Sequence, residues 1–194
     1  MKNALLLCAL LASASQAQSL TVIQAHRVAE ASTRGVDWGY QDSRLDARST
    51  TATGTWDQTA LAVQVSPQGR PVARGTCRQI SSVGTDQLGF DLAATAETYG
   101  NHLLESGRAL GTYDLDVHVP AVARYLVTAD ARVTSGTNVA QVRLEDGSGS
   151  ALFDLTVAHL GSDSSLGFGW LSPGDYRFSG HAEVSAVGDD LTTS

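Results

Sequence analysis

Lysine is almost missing from this chain. Of the 13 Lys and Arg residues only Lys2 is a lysine, and the other 12 are Arg. Without lysine there is no Schiff-base chemistry and no Ser–Lys dyad. With Lys2 set aside, the 12 Arg stand against 20 Asp and Glu, a formal charge of −8. No Arg cluster offsets that field, which excludes nucleic acid and anionic membrane surfaces as partners. Cysteine is limited to Cys8 and Cys77, so a disulfide framework is excluded as well. Catalytic signatures are also lacking: the sequence contains no G-x-S-x-G, no H-E-x-x-H and no phosphate-binding loop. No apolar run reaches the roughly 20 residues that a membrane-spanning helix requires.

What is present begins with MKNALLLCALLASASQAQ. One Lys precedes an apolar run from Ala4 to Ala12, and Ser15 and Ala17 stand at the small-residue positions of a cleavage site. This is the pattern of a secretory leader. It predicts a signal peptide over 1–17, a mature domain over 18–188, a tail over 189–194, and a secreted or periplasmic location. Cys8 leaves with the leader. Cys77 then has two fates, burial or a covalent dimer through a second chain, and the general tendency of free cysteine favours burial.

Period two dominates the mature chain. From Tyr176 onward, Tyr176, Phe178, Gly180, Ala182 and Val184 alternate with Arg177, Ser179, His181 and Glu183. One parity is apolar or small and the other polar, which describes a strand with one face on a core and one in water. The same alternation runs through Ala109–Val119 and Ala123–Val133, and more briefly through Ala140–Leu144, Phe153–Val157 and Leu88–Ala94. Turn-forming stretches such as TSGTN, EDGSGS and LSPGD separate the runs. The prediction is an all-β fold, an antiparallel β-sandwich of jelly-roll-like type. Within it, Leu166–Leu171 and the strand from Tyr176 are expected to form a hairpin about Ser172–Asp175. Gly167 and Gly169, beside Phe168 and Trp170, are expected where a neighbour approaches closely. AHRVAEASTRG has the composition of a short helix, although LTVIQ before it starts like a strand.

The succession of alternating strands, VRLEDGSGSALF and LSPGDYRFSGHAEV, over roughly Leu110 to Val187, resembles exported bacterial jelly-roll-like β-sandwich proteins of the PEP-CTERM-associated kind. Their sorting tail has no counterpart after Asp190, so surface sorting by that route is not expected.

Candidate sites are few. Asp114, Asp116 and His118 share one face of one strand at i, i+2 and i+4, so adjacent pairs, though not all three together, are spaced for metal chelation, while a solvated strand face is the favoured reading. Asp146 and Asp163 sit in turn-like stretches and are oxygen donors of the kind Ca²⁺ takes, but no complete calcium-loop motif surrounds them. No cofactor is therefore expected. Trp38 and Tyr40, around Gly39 in VDWGYQD, are the ligand-binding candidates, because flat rings with flanking acids can stack on and hydrogen-bond to sugars, while the general burial of aromatics in β-sandwiches favours a place in the core for both. Trp56 and Trp170 are expected in the core. The functional expectation is a non-catalytic exported protein, structural or weakly binding, with an extracellular polysaccharide or an envelope protein as partner. The alternative is a secreted hydrolase acting on polysaccharide through carboxylates that carry no sequence signature.

Overall fold

The computed structural model describes residues 2–13, 20–37, 40–66, 69–84, 87–99, 105–133 and 138–188, with 2–13, 36–37 and 40–41 as backbone. The described residues form strands and their connections: β1 (Lys2–Ser13), β2 (Thr21–Asp37), β3 (Tyr40–Thr50), β4 (Trp56–Val65), β5 (Pro71–Val83), β6 (Gln87–Thr98), β7 (Ser106–Val119), β8 (Ala123–Val133), β9 (Val139–Asp146), β10 (Ala151–Ala158), β11 (Gly161–Leu171) and β12 (Gly174–Val187). They make two six-stranded sheets, β11-β8-β1-β6-β5-β4 and β10-β9-β12-β7-β2-β3. Every ladder is antiparallel.

Alternation at the sequence level becomes the inner and outer faces of these sheets. On β7 and β12 the residues alternate between buried and partly exposed along the strand. Buried side chains from both sheets meet in one continuous core. At its centre Phe90, Tyr113 and Phe178 pack with ring centroids 4.7, 5.5 and 5.9 Å apart. Much of the rest is alanine, valine and leucine, so the two layers approach closely. Gly107 shows how closely: a methyl group built there would stand 2.5 Å from the carbonyl oxygen of Arg74 on the opposite sheet. Cys77 is fully buried, and burial pushes its thiol up to about 12, which takes it out of reach of a second chain.

Three expectations are corrected. AHRVAEASTRG is not a helix but the middle of β2, a 17-residue strand that pairs with β7 on one side and β3 on the other. Its buried positions, Ala25, Arg27, Ala29 and Ala31, recur every second residue, and tertiary pairing overrides the helical bias of the composition. The LSPGD stretch does join two strands, but β11 and β12 belong to different sheets. The turn is therefore a crossing between layers, with β11 bonded to β8 and β12 to β7 and β9. Trp170 is not a core residue, for the reason given below. Residues 2–13, read as a leader, stand in the structure as β1, hydrogen-bonded to β6 and β8 at once.

Candidate functional site

Strand β11 inverts the rule that most of the strands follow. Its inward positions carry Ser165, Gly167, Gly169 and Leu171, whereas Leu166, Phe168 and Trp170 point outward and are 60, 75 and 64% exposed. The cause lies on its neighbours. Phe153 of β10 fills the space where a side chain at Gly167 would go, and the ring of Tyr125 lies 2.8 Å from the methyl position of Gly169. The Tyr125 hydroxyl then donates to the carbonyl of Leu152 at 3.4 Å. Rings contributed by β8 and β10 thus occupy the interlayer space opposite Gly167 and Gly169, so β11 supplies glycine at those two inward positions and turns Leu166, Phe168 and Trp170 to solvent.

The register with β8 sets what flanks the stripe. Trp170 pairs with Arg124, Phe168 with Leu126 and Leu166 with Thr128, while Ser164 and Ser162 continue the same face opposite Asp130 and Arg132. The Arg124 guanidinium lies over the Trp170 ring at 5.0 Å from its centroid. Strand rise puts successive stripe residues roughly 6.5–7 Å apart. The result is a flat ribbon, apolar and aromatic at one end and hydroxyl-bearing and charged at the other. A second outward row, Leu61, Val63 and Val65 on β4, is aliphatic and 37–45% exposed. That row is flanked by β3, from which Asp46 accepts the Leu61 amide at 3.1 Å.

The outer face of the other sheet holds the acidic candidates. Asp114, Asp116 and His118 do share that face, each opposite a residue of β12. They are not gathered on one point. Arg177 grips Asp116 through two hydrogen bonds of 2.8 and 3.2 Å, and His118 Nδ1 meets Asp175 at 2.7 Å. Burial pushes the Asp114 carboxyl above its usual range. A shallow groove of about 370 Å³ beside them is lined by Ile23, Asp116, Glu145, Asp146, Asp175 and Arg177, among others. Asp146 serves the β9–β10 turn: its Oδ1 accepts from the Ser148 hydroxyl at 2.6 Å and from the Ser148 and Ser150 amides at 2.8 and 3.0 Å, which holds its carboxyl below the usual range. Glu145 is paired with Arg143 at 2.9 Å. Asp163 accepts the neighbouring Ser164 amide at 2.8 Å. Among the described residues no group of three or more His, Cys, Asp or Glu is arranged to hold a metal ion.

Trp38 lies outside the described residues, and Tyr40 is described as backbone only. Asp37 at the end of β2 and Tyr40 at the start of β3 are register partners across the antiparallel β2–β3 ladder. The segment VDWGYQD is thus not one continuous strand. Trp56 is partly buried against the core, with the Arg27 guanidinium 5.7 Å from its ring centroid. The sequence signal for the β11 stripe was Gly167 and Gly169: small residues alternating with large ones mark which face is crowded, and here the crowded face is the glycine side.

No protein-family model matches the chain, and neither the curated proteins nor the solved structures compared with it contain a match.

Proposed function

We propose that this chain is a non-catalytic exported β-sandwich module, jelly-roll-like in the way its strands pass from layer to layer, whose outer β11–β8 face binds an extended extracellular polysaccharide. The carrying observation is the row Leu166, Phe168 and Trp170, large and more than half exposed on three successive outward positions. Scattered exposed apolar residues need no explanation, but a contiguous stripe on a rigid strand does. Two rings at strand spacing stack on the C–H faces of a polymer, while Thr128, Ser162, Ser164, Asp130 and Arg132 offer donors and acceptors to its hydroxyls. The acidic chain disfavours an anionic polymer, which leaves neutral or cationic glycans.

The hydrolase alternative needs one carboxylic acid held protonated near neutrality. In the acidic groove the carboxylates are tied to Arg177, His118, Arg143 or turn amides, and Asp146 is shifted in the opposite sense. Asp114, whose carboxyl burial does raise, is not among the residues that line the groove, so the groove does not favour that reading.

Retention on insoluble glycans tests the proposal. Each ring removed should weaken binding by roughly tenfold or less, since a stacking contact contributes about 0.5–1.5 kcal/mol. Phe168→Ala and Trp170→Ala together should abolish retention. Because the rings support no core, unfolding free energy should stay within about 0.5 kcal/mol of the parent. Undiminished retention by the double variant would refute the assignment.

A further inference from the structure

We infer that the free edge of β3 is an interface whose occupant is the β3 of a second copy of this chain, the two strands paired antiparallel about Leu45. Four strands end the two sheets: β11, β4, β10 and β3. β4 and β10 carry register shifts in the ladders that hold them, and such irregularities bend an edge away from a partner. β3 carries none: its 11 residues pair one for one with β2, from Tyr40 opposite Asp37 to Thr50 opposite Arg27. β11 is also regular, but its one charged residue, Asp163, would find no counter-charge in a copy of the same strand.

What distinguishes β3 is its charge pattern. Opposite Gly35, Thr33, Ala31 and Ala29 of β2, and so on the core side of the sheet, stand Asp42, Arg44, Asp46 and Arg48. Asp46 reaches the other layer, where it accepts the Leu61 amide at 3.1 Å. Neighbours in the row are ion-paired, Arg44 with Asp42 at 3.1 Å and Arg48 with Asp46 at 3.0 Å, and both arginine side chains stay more than half exposed at the rim. Charges on the core side of an edge strand ordinarily bar a second copy, because pairing would bury them unmatched. A two-fold pairing about Leu45 matches all of them. Asp42 falls opposite Arg48 of the second copy and Arg44 opposite Asp46, and symmetry repeats both pairs.

The same pattern fixes the register. A two-fold at residue 44 or 46 sets Arg44 against Arg44 or Asp46 against Asp46, like charges that oppose association. A two-fold at residue 43 or 47 restores unlike neighbours but leaves only residues 40–46 or 44–50 of the strand paired. The axis at Leu45 alone pairs the whole strand with each core-side charge opposite its counterpart. On the solvent side that axis sets Leu45, which is 69% exposed, against its own copy, with Ser43 opposite Ala47. The two leucines cover each other, and the small residues beside them let the backbones approach. Each β3 thereby gains a second ladder, a symmetric form of β-strand addition.

Sedimentation equilibrium of the parent chain, of Asp42→Arg, of Arg48→Asp and of an equal mixture of the two variants tests the pairing. The expected parent is a dimer that weakens as salt is raised. Each variant alone sets like charges against each other on both sides of the axis and should weaken association about tenfold or more. In the mixture the introduced arginine meets the introduced aspartate, and the native Arg48 meets the native Asp42, so association should return to the parent strength. Leu45→Cys, which leaves every charge in place, gives an independent readout: mild oxidation should link it into a covalent dimer, while Ser49→Cys, away from the axis, stays unlinked. A monomeric parent overturns the inference, and so does a dimer that both charge variants leave intact. A mixture of folded variants that associates no better than its components, or linkage at residue 49 in place of residue 45, overturns the register about Leu45.

Discussion

At the scale of single residues, the structure turns on where small side chains stand opposite large ones. The ring of Phe90 lies where a side chain at Gly180 would be, and Cys77 and Leu92 lie 3.1 and 3.2 Å from the methyl position of Gly111. Burial of Cys77 has a measurable consequence. Its folded thiol keeps its proton from the ordinary value of 9.0 up to about 12, whereas the unfolded thiol releases it near the lower figure. The folded state therefore binds more protons across that window, so this group's contribution makes stability fall as pH rises from 9 toward 12 and leaves it unchanged below 9. The same burial predicts that iodoacetamide at pH 8 leaves Cys77 unmodified in the folded chain and alkylates it fully in urea. Mass spectrometry of the two samples checks this, and rapid labelling of the folded protein would show an accessible thiol. Burial of Cys77 followed from the general habit of free cysteine; the exposure of Trp170 did not follow from the habits of tryptophan, because the crowding that expels it comes from Phe153 and Tyr125 on other strands.

At the scale of elements, period two was a faithful guide to strands and a poor guide to partners. Ala109–Val119, Ala123–Val133 and the run from Tyr176 all stand as strands, and their alternation is the buried and exposed alternation of β7, β8 and β12. The LSPGD stretch was legible as a turn, yet nothing in five residues distinguishes a hairpin from a crossing between layers, since that depends on which ladders β7, β8 and β9 offer. β2 was misread over AHRVAEASTRG because its inward positions are mostly alanine, a residue as helical as it is small. Alanine and glycine there serve the close approach of the layers. Gly107 faces the Arg74 carbonyl, and because backbone rather than a flexible side chain blocks the space, Gly107→Ala should force β5 and β7 apart and cost about 1–3 kcal/mol. Urea denaturation at constant slope is the measurement, and an unchanged midpoint would mean that the layers are looser than described. By contrast, the exposed Asp116–Arg177 pair should contribute less than about 1 kcal/mol.

At the scale of the whole molecule, the all-β class and the two-layer build follow from alternation repeated along most of the chain. The pairing order of the sheets does not, because each long-range ladder, β7 with β12 above all, joins strands far apart in sequence. The candidate site divides in the same way. The acidic face of Asp114, Asp116 and His118 was legible as one strand face, and the structure ties Asp116 and His118 to two different residues of β12, Arg177 and Asp175. The aromatic ribbon was legible only as the glycine alternation of Leu166–Leu171, whose meaning needed the neighbouring rings. In the function proposed above, this ribbon, and not the acidic groove, meets the ligand. Its most direct test is a backbone-amide NMR titration of the protein with a soluble oligosaccharide of a glycan that retains it. The prediction is a set of shift changes confined to Ser162–Leu171 of β11 and Arg124–Arg132 of β8. Changes centred instead on Asp116, Glu145, Asp146 and Asp175, with β11 silent, would contradict it.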